Sequence, residues 1–240
     1  MSLLLALLTV QVPMGLPDNA RNIPARQVRA LIADHGDCIV KREATRASAA
    51  ILAGLGSNEL LDRYPQLLQE SCLNNRLGER VEVRFSGDQY RFAIADALVR
   101  KELASVPPPV LDDVPPLAHA SPGEPPRTDS KGRPLEGPAL EKAMWDHGAD
   151  RASNYMWRYG ECVVRVDPAA AKALLMTDPG SAPEGVQFAA LGTALGTCLG
   201  EGRTLEFGKA ELRGTMAVNY YRLAKAPQAA AVVQARGAAL

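Results

Sequence analysis

A seven-residue pattern occurs twice in this chain, and the repetition limits the folds available to it. Residues 35–41 have the sequence HGDCIVK, and residues 159–165, 124 positions later, have the sequence YGECVVR. Further matches follow in the same order at offsets between 122 and 126: Cys72 with Cys198, Phe85 with Phe207, Arg91 with Arg213, Ala95 with Ala217, and Arg100 with Arg222. Two diverged copies that differ by short insertions and deletions give such a pattern. The sequence therefore predicts two homologous modules.

The four cysteines lie at matched positions, two in each copy. Pairing within a copy joins Cys38 to Cys72 and Cys162 to Cys198, and the duplication favours this pairing among the three that four cysteines allow. Each bridge would close a loop of about 35 residues and stabilise the folded state by about 3 to 4 kcal/mol. A module of about 75 residues buries a limited core, so this is a large share of its stability. Disulfides also indicate an oxidising compartment.

The chain begins with an apolar segment that is too short to span a bilayer. Residues 3–12 are interrupted only by Thr9 and Gln11, which is typical of the hydrophobic region of a signal peptide. No Lys or Arg precedes this segment, and no clear small-residue cleavage site follows it. We expect residues 1–21 to be a signal-peptide-like segment, and the mature protein to be periplasmic or secreted without a membrane span. The alternative is the hydrophobic first helix of a cytoplasmic protein.

Helical spacing of apolar residues predicts an all-α fold with about four helices in each module, 22–104 and 139–225. First helices are indicated by two apolar stripes: Ala25, Val28, Ile32, His35 and Ile39, and then Trp145, Ala149, Ala152, Met156, Tyr159 and Val163. Second helices are expected at 44–55 and 168–176, and third helices at 58–74 and 183–199. The apolar faces of the fourth helices are Tyr90, Ile94 and Leu98, and then Leu212, Met216, Tyr220 and Leu223.

One short extended segment precedes each fourth helix. Residues 81–85 and 204–207 contain Phe85 and Phe207 in runs that fit either a brief strand or an extended connection whose phenylalanine packs into the core. Residues 226–240 are rich in alanine and form a tail that is either helical or disordered.

The segment between the modules is rich in proline. Residues 105–138 contain ten prolines and few large apolar side chains, so we expect no core there. Proline at this density favours an extended, semi-rigid spacer that separates the modules or leaves them independently mobile. The alternative is a Pro-x-x-Pro ligand for a partner domain.

Charge and spacing argue against several classes of function. The chain has 27 basic and 27 acidic residues and no basic run, which argues against nucleic-acid binding. A structural zinc site usually takes cysteines in close pairs, whereas the nearest cysteines here are 34 positions apart. His35 precedes Cys38 by three residues and could serve as its base. Tyr159 replaces it in the second copy, so packing is favoured, and we expect neither a metal nor a cofactor.

Four arginines recur in the two fourth helices: Arg91, Arg100, Arg213 and Arg222. Arg91 and Arg100 are nine residues apart, on opposite faces of a helix, so they cannot clamp one anion together. Arg91 and Arg213 stand near the start of their helices, where the helix dipole disfavours a cation. We expect them to bind a carboxylate or the C-terminal carbonyls of a neighbouring helix. A site for a phosphate or carboxylate ligand is the alternative.

Aromatic residues are concentrated in one helix of the second module. Trp145 and Tyr159 belong to its apolar stripe and are expected in the core. Trp157 lies off the stripe and, with Arg158, marks a candidate partner or ligand surface on the linker side. A solvent-edge aromatic that covers the linker is the alternative.

The repeated motifs resemble those of a known group of proteins. The pattern G-[DE]-C-[IV]-V-[KR], then an Ala-rich helix, Cys-Leu and an Arg-x3-Ala-x4-Arg helix, is similar to uncharacterised, tandem-duplicated exported proteins of sphingomonad-type alphaproteobacteria. The resemblance covers both modules and implies no activity. We therefore expect an exported, non-enzymatic interaction or ligand-binding protein whose partner is an unknown protein or small molecule. The alternative is a small, hydrolase-like periplasmic enzyme with its site in the second module or between the modules.

Overall fold

The computed structural model describes residues 24–72, 88–121, 123–200 and 205–237. These ranges contain eight α-helices, two single-turn 3₁₀ helices and no strand, so the expected all-α fold is confirmed. The α-helices are α1 (Ala25–Leu52), α2 (Ser57–Arg63), α3 (Gln89–Glu102), α4 (Gly137–Val166), α5 (Pro168–Leu175), α6 (Ala182–Ala190), α7 (Gly192–Leu199) and α8 (Lys209–Gly237). None of the described helices has both the length and the apolar character needed to cross a bilayer.

Two sequence predictions fall on parts of the chain outside these ranges. The signal-peptide-like segment, residues 1–21, and the first extended segment, residues 81–85, lie outside the described residues. The second extended segment is described from Leu205 onward and forms no strand. Phe207 packs against the core, and its ring centroid lies 5.9 Å from that of Tyr159, which matches the expected alternative of an extended connection.

Helix α1 continues past the position at which the sequence predicts a boundary. Glu43 has φ −128° and ψ 35°, which kinks the helix without ending it. The neighbouring residues include no proline or glycine that would stop the helix. Beyond the kink, Ala47, Ala50 and Ile51 are fully buried. The predicted separate helix at 44–55 is therefore the second part of α1.

The predicted third helices, 58–74 and 183–199, are each interrupted. Pro65 lacks an N–H and disfavours a helical conformation at Tyr64, so α2 ends at Arg63. The chain continues through the 3₁₀ helices Pro65–Leu67 and Glu70–Cys72. In the second half, α6 ends and α7 begins on either side of Leu191. Both predicted single helices were too long.

Both expected disulfides are present. The Cys38–Cys72 bond joins α1 to the second 3₁₀ helix, and the Cys162–Cys198 bond joins α4 to α7. The Cα atoms are 5.6 and 5.8 Å apart. Because the sulfur of Cys38 is bonded to Cys72, it is not a free thiol for His35 to activate.

Helices α3 and α8 form the centre of the molecule. They contact each other, while α1 packs on α3 and α4 packs on α8. The expected apolar faces of α3 and α8 are buried, and one hydrophobic cluster extends through both halves of the chain. The halves are therefore in direct contact, and the expectation that a spacer holds them apart is wrong.

The proline-rich segment packs on the body of the protein. Leu111 is buried, and Val114 and Leu117 pack against the core. Lys172 of α5 donates hydrogen bonds to the carbonyl oxygens of Ala104 and Val106 at 2.8 and 2.5 Å. Composition predicted a free spacer because large apolar residues are few, but these three all face the core.

The first part of α4 is exposed. Trp145 is 75% exposed, Ala149 and Ala152 are also exposed, and the stripe becomes buried only from Met156 onward. The expectation that Trp145 belongs to the core is therefore wrong. Ala25 and Val28 in α1 are exposed in the same way. Periodicity identifies the apolar face of a helix but not how far along the helix a neighbour covers it.

Candidate ligand-binding groove

A network of charged side chains connects four helices. Glu184 of α6 accepts hydrogen bonds from both terminal nitrogens of Arg29, at 2.7 and 2.6 Å. Arg213 of α8 lies 3.2 Å from Glu184 and donates to Asp96 of α3 at 3.0 Å. Asp96 also pairs with Arg100, which reaches Asp37 of α1 at 2.7 Å. Three cations and three anions balance in this network.

The same Arg213 binds the end of α5. Its Nη1 donates to the carbonyl oxygen of Leu174 at 3.0 Å, and its Nη2 donates to those of Leu175 and Thr177 at 3.1 and 2.8 Å. Carbonyls at a helix C-terminus have no partner within the helix. Arg213 therefore binds both kinds of partner expected from the sequence, carboxylates and the C-terminal carbonyls of a neighbouring helix.

Arg91 occupies a comparable position in the first half. Its Nη1 donates to the carbonyl oxygen of Leu55, three residues beyond the end of α1, at 2.5 Å. Its Cζ lies 3.8 Å from the ring centroid of Trp157, a cation–π contact between the two halves. Burial lowers the pKa of Arg91, as does the nearby charge of Arg222, while Asp88 opposes the shift.

A groove lies beside the charge network, where α1, α3, α4 and α8 meet. Its volume is about 490 Å³. Ile32, Phe92, Met156 and Trp157 supply its large apolar side chains, while Arg29, Asp96 and Arg213 supply charged groups from the network. Asp88, Gln89 and Glu211 also line it. The groove thus combines an aromatic and aliphatic surface with charged groups that already have partners.

The structure separates Trp157 from Arg158. Trp157 is half-buried, lines the groove and lies 5.4 Å from Phe92 between ring centroids. Its carbonyl oxygen accepts a hydrogen bond from Asn219 at 2.8 Å. Arg158 is exposed and lines a different cavity, beside the proline-rich segment. Only Arg158 is therefore on the linker side, where the sequence prediction placed both residues.

Comparison with protein-family models, curated proteins and solved structures finds no match to this chain. The resemblance inferred from the motifs stays a prediction.

His35 and Arg222 lie outside the groove lining. His35 is buried, with its ring centroid 5.6 Å from that of Tyr90. Burial lowers the pKa of His35, and a backbone hydrogen bond at Cys72 partly opposes the shift. Burial also lowers the pKa of Arg222, and the charge of Glu161 opposes that shift.

The ionisable groups that the groove shares with the charge network already have protein partners. Asp96 is engaged by two arginines, and the described lining includes Ser153 but no histidine or cysteine. Among the described residues, no three His, Cys, Asp or Glu side chains are grouped as a metal site would require. An apolar ligand could replace water against Phe92 and Trp157 without disturbing the charge network.

The sequence pattern singles out Arg213 and Trp157 but not the residues around them. Arg29 and Glu184 are 155 positions apart, so no spacing rule connects them. Asp96 does have a local indication, because it lies four residues before Arg100 on one helix. Phe92 belongs to no predicted pattern and Met156 only to the apolar stripe of its own helix, so only the packing of four helices brings them together.

Proposed function

We propose that this chain is an exported protein, built from two diverged copies of one helical module, that binds an apolar ligand in the groove between its halves. The groove itself carries the proposal: about 490 Å³ lined by Ile32, Phe92, Met156 and Trp157. Pockets of about 300 to 1,000 Å³ with apolar and aromatic walls are typical of small-molecule sites.

The charges at the groove favour an uncharged or cationic ligand. Arg29 and Arg213 are engaged by Glu184, and Arg213 also pairs with Asp96. Glu211 is exposed at the groove, with Asp88 nearby on the lining. An anionic head group would have to compete with carboxylates for the two arginines, whereas a cationic group would meet Glu211 directly.

Matched contacts in the two halves support the proposed duplication. Gly36 lies against Ala93 where α1 meets α3, and Gly160 lies against Thr215 where α4 meets α8. Each half also has one disulfide, closing 34 residues in the first and 36 in the second.

The two disulfides support export, since such bonds form and persist in oxidising compartments. We place the mature protein in the periplasm or the medium. Intact mass and thiol alkylation of protein isolated from its host without reductant test this. Unreactive cysteines and a first residue beyond Val12 are expected, whereas four reactive thiols with an intact N-terminus would argue for the cytoplasmic alternative.

Ligand binding is tested with two probes that share a twelve-carbon chain, dodecylamine and dodecanoate. The chain has two tryptophans, so Trp145→Phe leaves Trp157 as the only indole reporter in the groove. We expect dodecylamine, below its micelle concentration, to change Trp157 emission saturably, and dodecanoate to bind roughly tenfold more weakly because of the carboxylates.

A matched pair of variants locates the binding. Ala210 is an exposed residue of the groove lining, and Ala189 is an exposed residue of α6 outside that lining. Ala210→Phe places a ring in the groove and should abolish most of the dodecylamine response, while Ala189→Phe should leave it unchanged. Equal binding by both variants would show that the probe binds elsewhere.

A further inference from the structure

A second site, with a different lining from the groove, lies where the proline-rich segment crosses α4. Arg165 of α4 donates to three main-chain carbonyls of this segment. Its Nη1 lies 2.9 Å from the oxygen of Val114 and 3.4 Å from that of Leu111, and its Nη2 lies 2.7 Å from that of Pro115. One guanidinium therefore holds the backbone of the segment.

Glu161, one helical turn before Arg165, holds the next part of the segment. Its carboxylate accepts hydrogen bonds from the Leu117 amide at 3.0 Å and from Nε2 of His119 at 2.5 Å, and Arg165 Nε donates to it at 2.7 Å. Burial by itself raises the pKa of the Glu161 carboxyl, but these hydrogen bonds outweigh burial and lower that pKa. Glu161 is thus an ionised acceptor at neutral pH.

The docked segment has the features of a peptide ligand. Leu111, Val114 and Leu117 are three residues apart and all pack against the core. Residues 111–114 form a turn, in which the Val114 amide donates to the Leu111 carbonyl oxygen at 3.2 Å, and residues 115–120 follow without regular structure. Pro115 and Pro116 follow the turn, and each fixes its own φ, which reduces the entropy lost when this part of the segment docks. Proline-rich peptides in general bind their partner domains with a backbone that is already restricted before binding. The docked segment shares that feature at Pro115 and Pro116, and it adds apolar side chains and main-chain hydrogen bonds to α4.

Space remains between the segment and α4. A cavity of about 670 Å³ is lined by Pro116, Leu117 and His119 on one side and by Arg158, Glu161 and Arg165 on the other. Arg158 is exposed there. A peptide with larger side chains than the chain's own segment could therefore be accommodated at the same place.

We propose that this face of α4, formed by Arg158, Glu161, Arg165 and Val166, is a binding site for a proline-containing peptide that has apolar residues three positions apart and a turn before its prolines. Residues 111–119 occupy the site as an intramolecular ligand, and the peptide of a partner protein displaces them. The residues of this site do not line the groove, so the proposal stands or falls independently of ligand binding there.

Competition by the tethered segment determines how the site must be tested. A segment joined to its site by a short linker acts at an effective concentration of about 1 mM or more, so an added peptide binds the unmodified protein weakly. Replacing Leu111 and Leu117 by serine and His119 by alanine in the full chain removes the apolar and imidazole contacts of the segment. This release variant leaves every residue of α4 unchanged.

The probe is a fluorescent peptide with the sequence of residues 109–121. By fluorescence anisotropy, we expect it to bind the release variant at least about tenfold more tightly than the unmodified protein, because the competing segment no longer docks. Adding Glu161→Gln to the release variant should weaken binding, since the carboxylate accepts the Leu117 amide. Glu206→Gln, at an exposed carboxylate away from this site, is the matched control and should have no effect. A peptide of scrambled sequence should not bind.

Hydrogen exchange at the Leu117 amide gives a second measurement that needs no variant. That N–H is bonded to Glu161 only while residues 111–119 are docked. Unlabelled peptide above about 1 mM should speed its exchange in the unmodified protein severalfold. Absence of peptide binding by a folded release variant overturns the proposal, as does equal binding of the scrambled peptide. If the release variant does not fold, unchanged exchange at Leu117 overturns it.

Discussion

Arg213 shows how a buried charge is tolerated in this protein. It is 3% exposed and contacts two carboxylates and three main-chain carbonyls. Desolvation offsets much of the attraction in such a cluster, so the cluster is weak evidence for net stability. Removing one member is different, because it leaves the others buried without compensation. Because Arg29, Asp96 and Arg213 also line the groove, the network holds these three side chains of the groove in place.

Asp96→Ala tests this view. The substitution removes the carboxylate that Arg213 and Arg100 share, so we expect the free energy of unfolding to fall by about 3 to 5 kcal/mol. Asp37→Ala is the control: this carboxylate is 53% exposed and, within the described part of the chain, pairs with Arg100, so its loss should cost less than about 1 kcal/mol. Urea denaturation measures both, and equal losses would show that burial of the network is energetically unimportant.

His35 makes stability depend on pH. Burial holds its pKa in the folded state below the usual value of 6.5, so the unfolded chain binds the proton more readily. This contribution to stability is present above about pH 6.5 and is lost as the pH falls below it. In His35→Phe, which keeps an aromatic ring beside Tyr90, the free energy of unfolding should fall less steeply between about pH 7 and pH 5. Urea denaturation at several pH values gives the free energy of unfolding at each pH. If that free energy changes equally with pH in both proteins, this prediction is refuted.

At the scale of helices, glycine sets how closely the main pairs approach. A Cβ atom on Gly36 would lie 2.2 Å from the carbonyl oxygen of Ala93, and one on Gly160 would lie 2.8 Å from the hydroxyl oxygen of Thr215. Both distances are shorter than van der Waals contact. The close packing of α1 on α3, and of α4 on α8, therefore leaves no free space for a side chain at Gly36 or Gly160. The obstacle at Gly36 is main chain, whereas at Gly160 it is the Thr215 hydroxyl, with the Thr215 Cβ at 3.0 Å and its main-chain carbon at 3.2 Å behind it.

Alanine substitutions at these glycines should therefore differ in effect. Gly36→Ala forces two helices apart and should destabilise the protein by about 1 to 3 kcal/mol. The loss should be smaller for Gly160→Ala, because the main-chain carbon nearest its added Cβ lies 3.2 Å away, against 2.6 Å at Gly36. Gly196→Ala is the control, since no described atom beyond its own stretch of helix lies within 4 Å of its added Cβ. There alanine should stabilise α7 by up to about 1 kcal/mol. Similar midpoints in chemical denaturation for all three variants would contradict close packing at the crossings.

The helices also show which structural features local sequence can predict. Helical periodicity predicts the apolar faces of α3 and α8 correctly, because neighbouring helices cover both faces and the apolar residues are therefore buried. The pairing of Cys38 with Cys72 followed from the match between the copies. The break at Pro65 was open to prediction from the chemistry of proline, but the kink at Glu43 was not, because no residue there disfavours a helix. The groove could not be predicted from local sequence, since contacts such as that of Arg29 with Glu184 depend on tertiary packing.

At the scale of the whole molecule, the two halves share one interior. Asp96 of α3 pairs with Arg213 of α8 across 117 positions of sequence. The hydroxyl of Tyr221 in α8 hydrogen-bonds to Ser48 in α1 at 2.7 Å and to Glu102 in α3 at 2.8 Å. These contacts are buried or half-buried, and they join segments on opposite sides of the proline-rich segment. Without the other half, the buried side chains of Asp96 and Arg213 would each lose a partner.

We therefore expect the halves to unfold together. In calorimetry, one transition should appear with equal calorimetric and van't Hoff enthalpies, as for a two-state unit. A perturbation in the first half should also shift the second. In a Trp145→Phe background, Asp96→Ala should lower the melting temperature reported by Trp157 of α4 as much as that reported by total helicity. Independent modules would give two transitions, with the Trp157 transition unmoved, because removing Asp96 would then affect only the half that contains it.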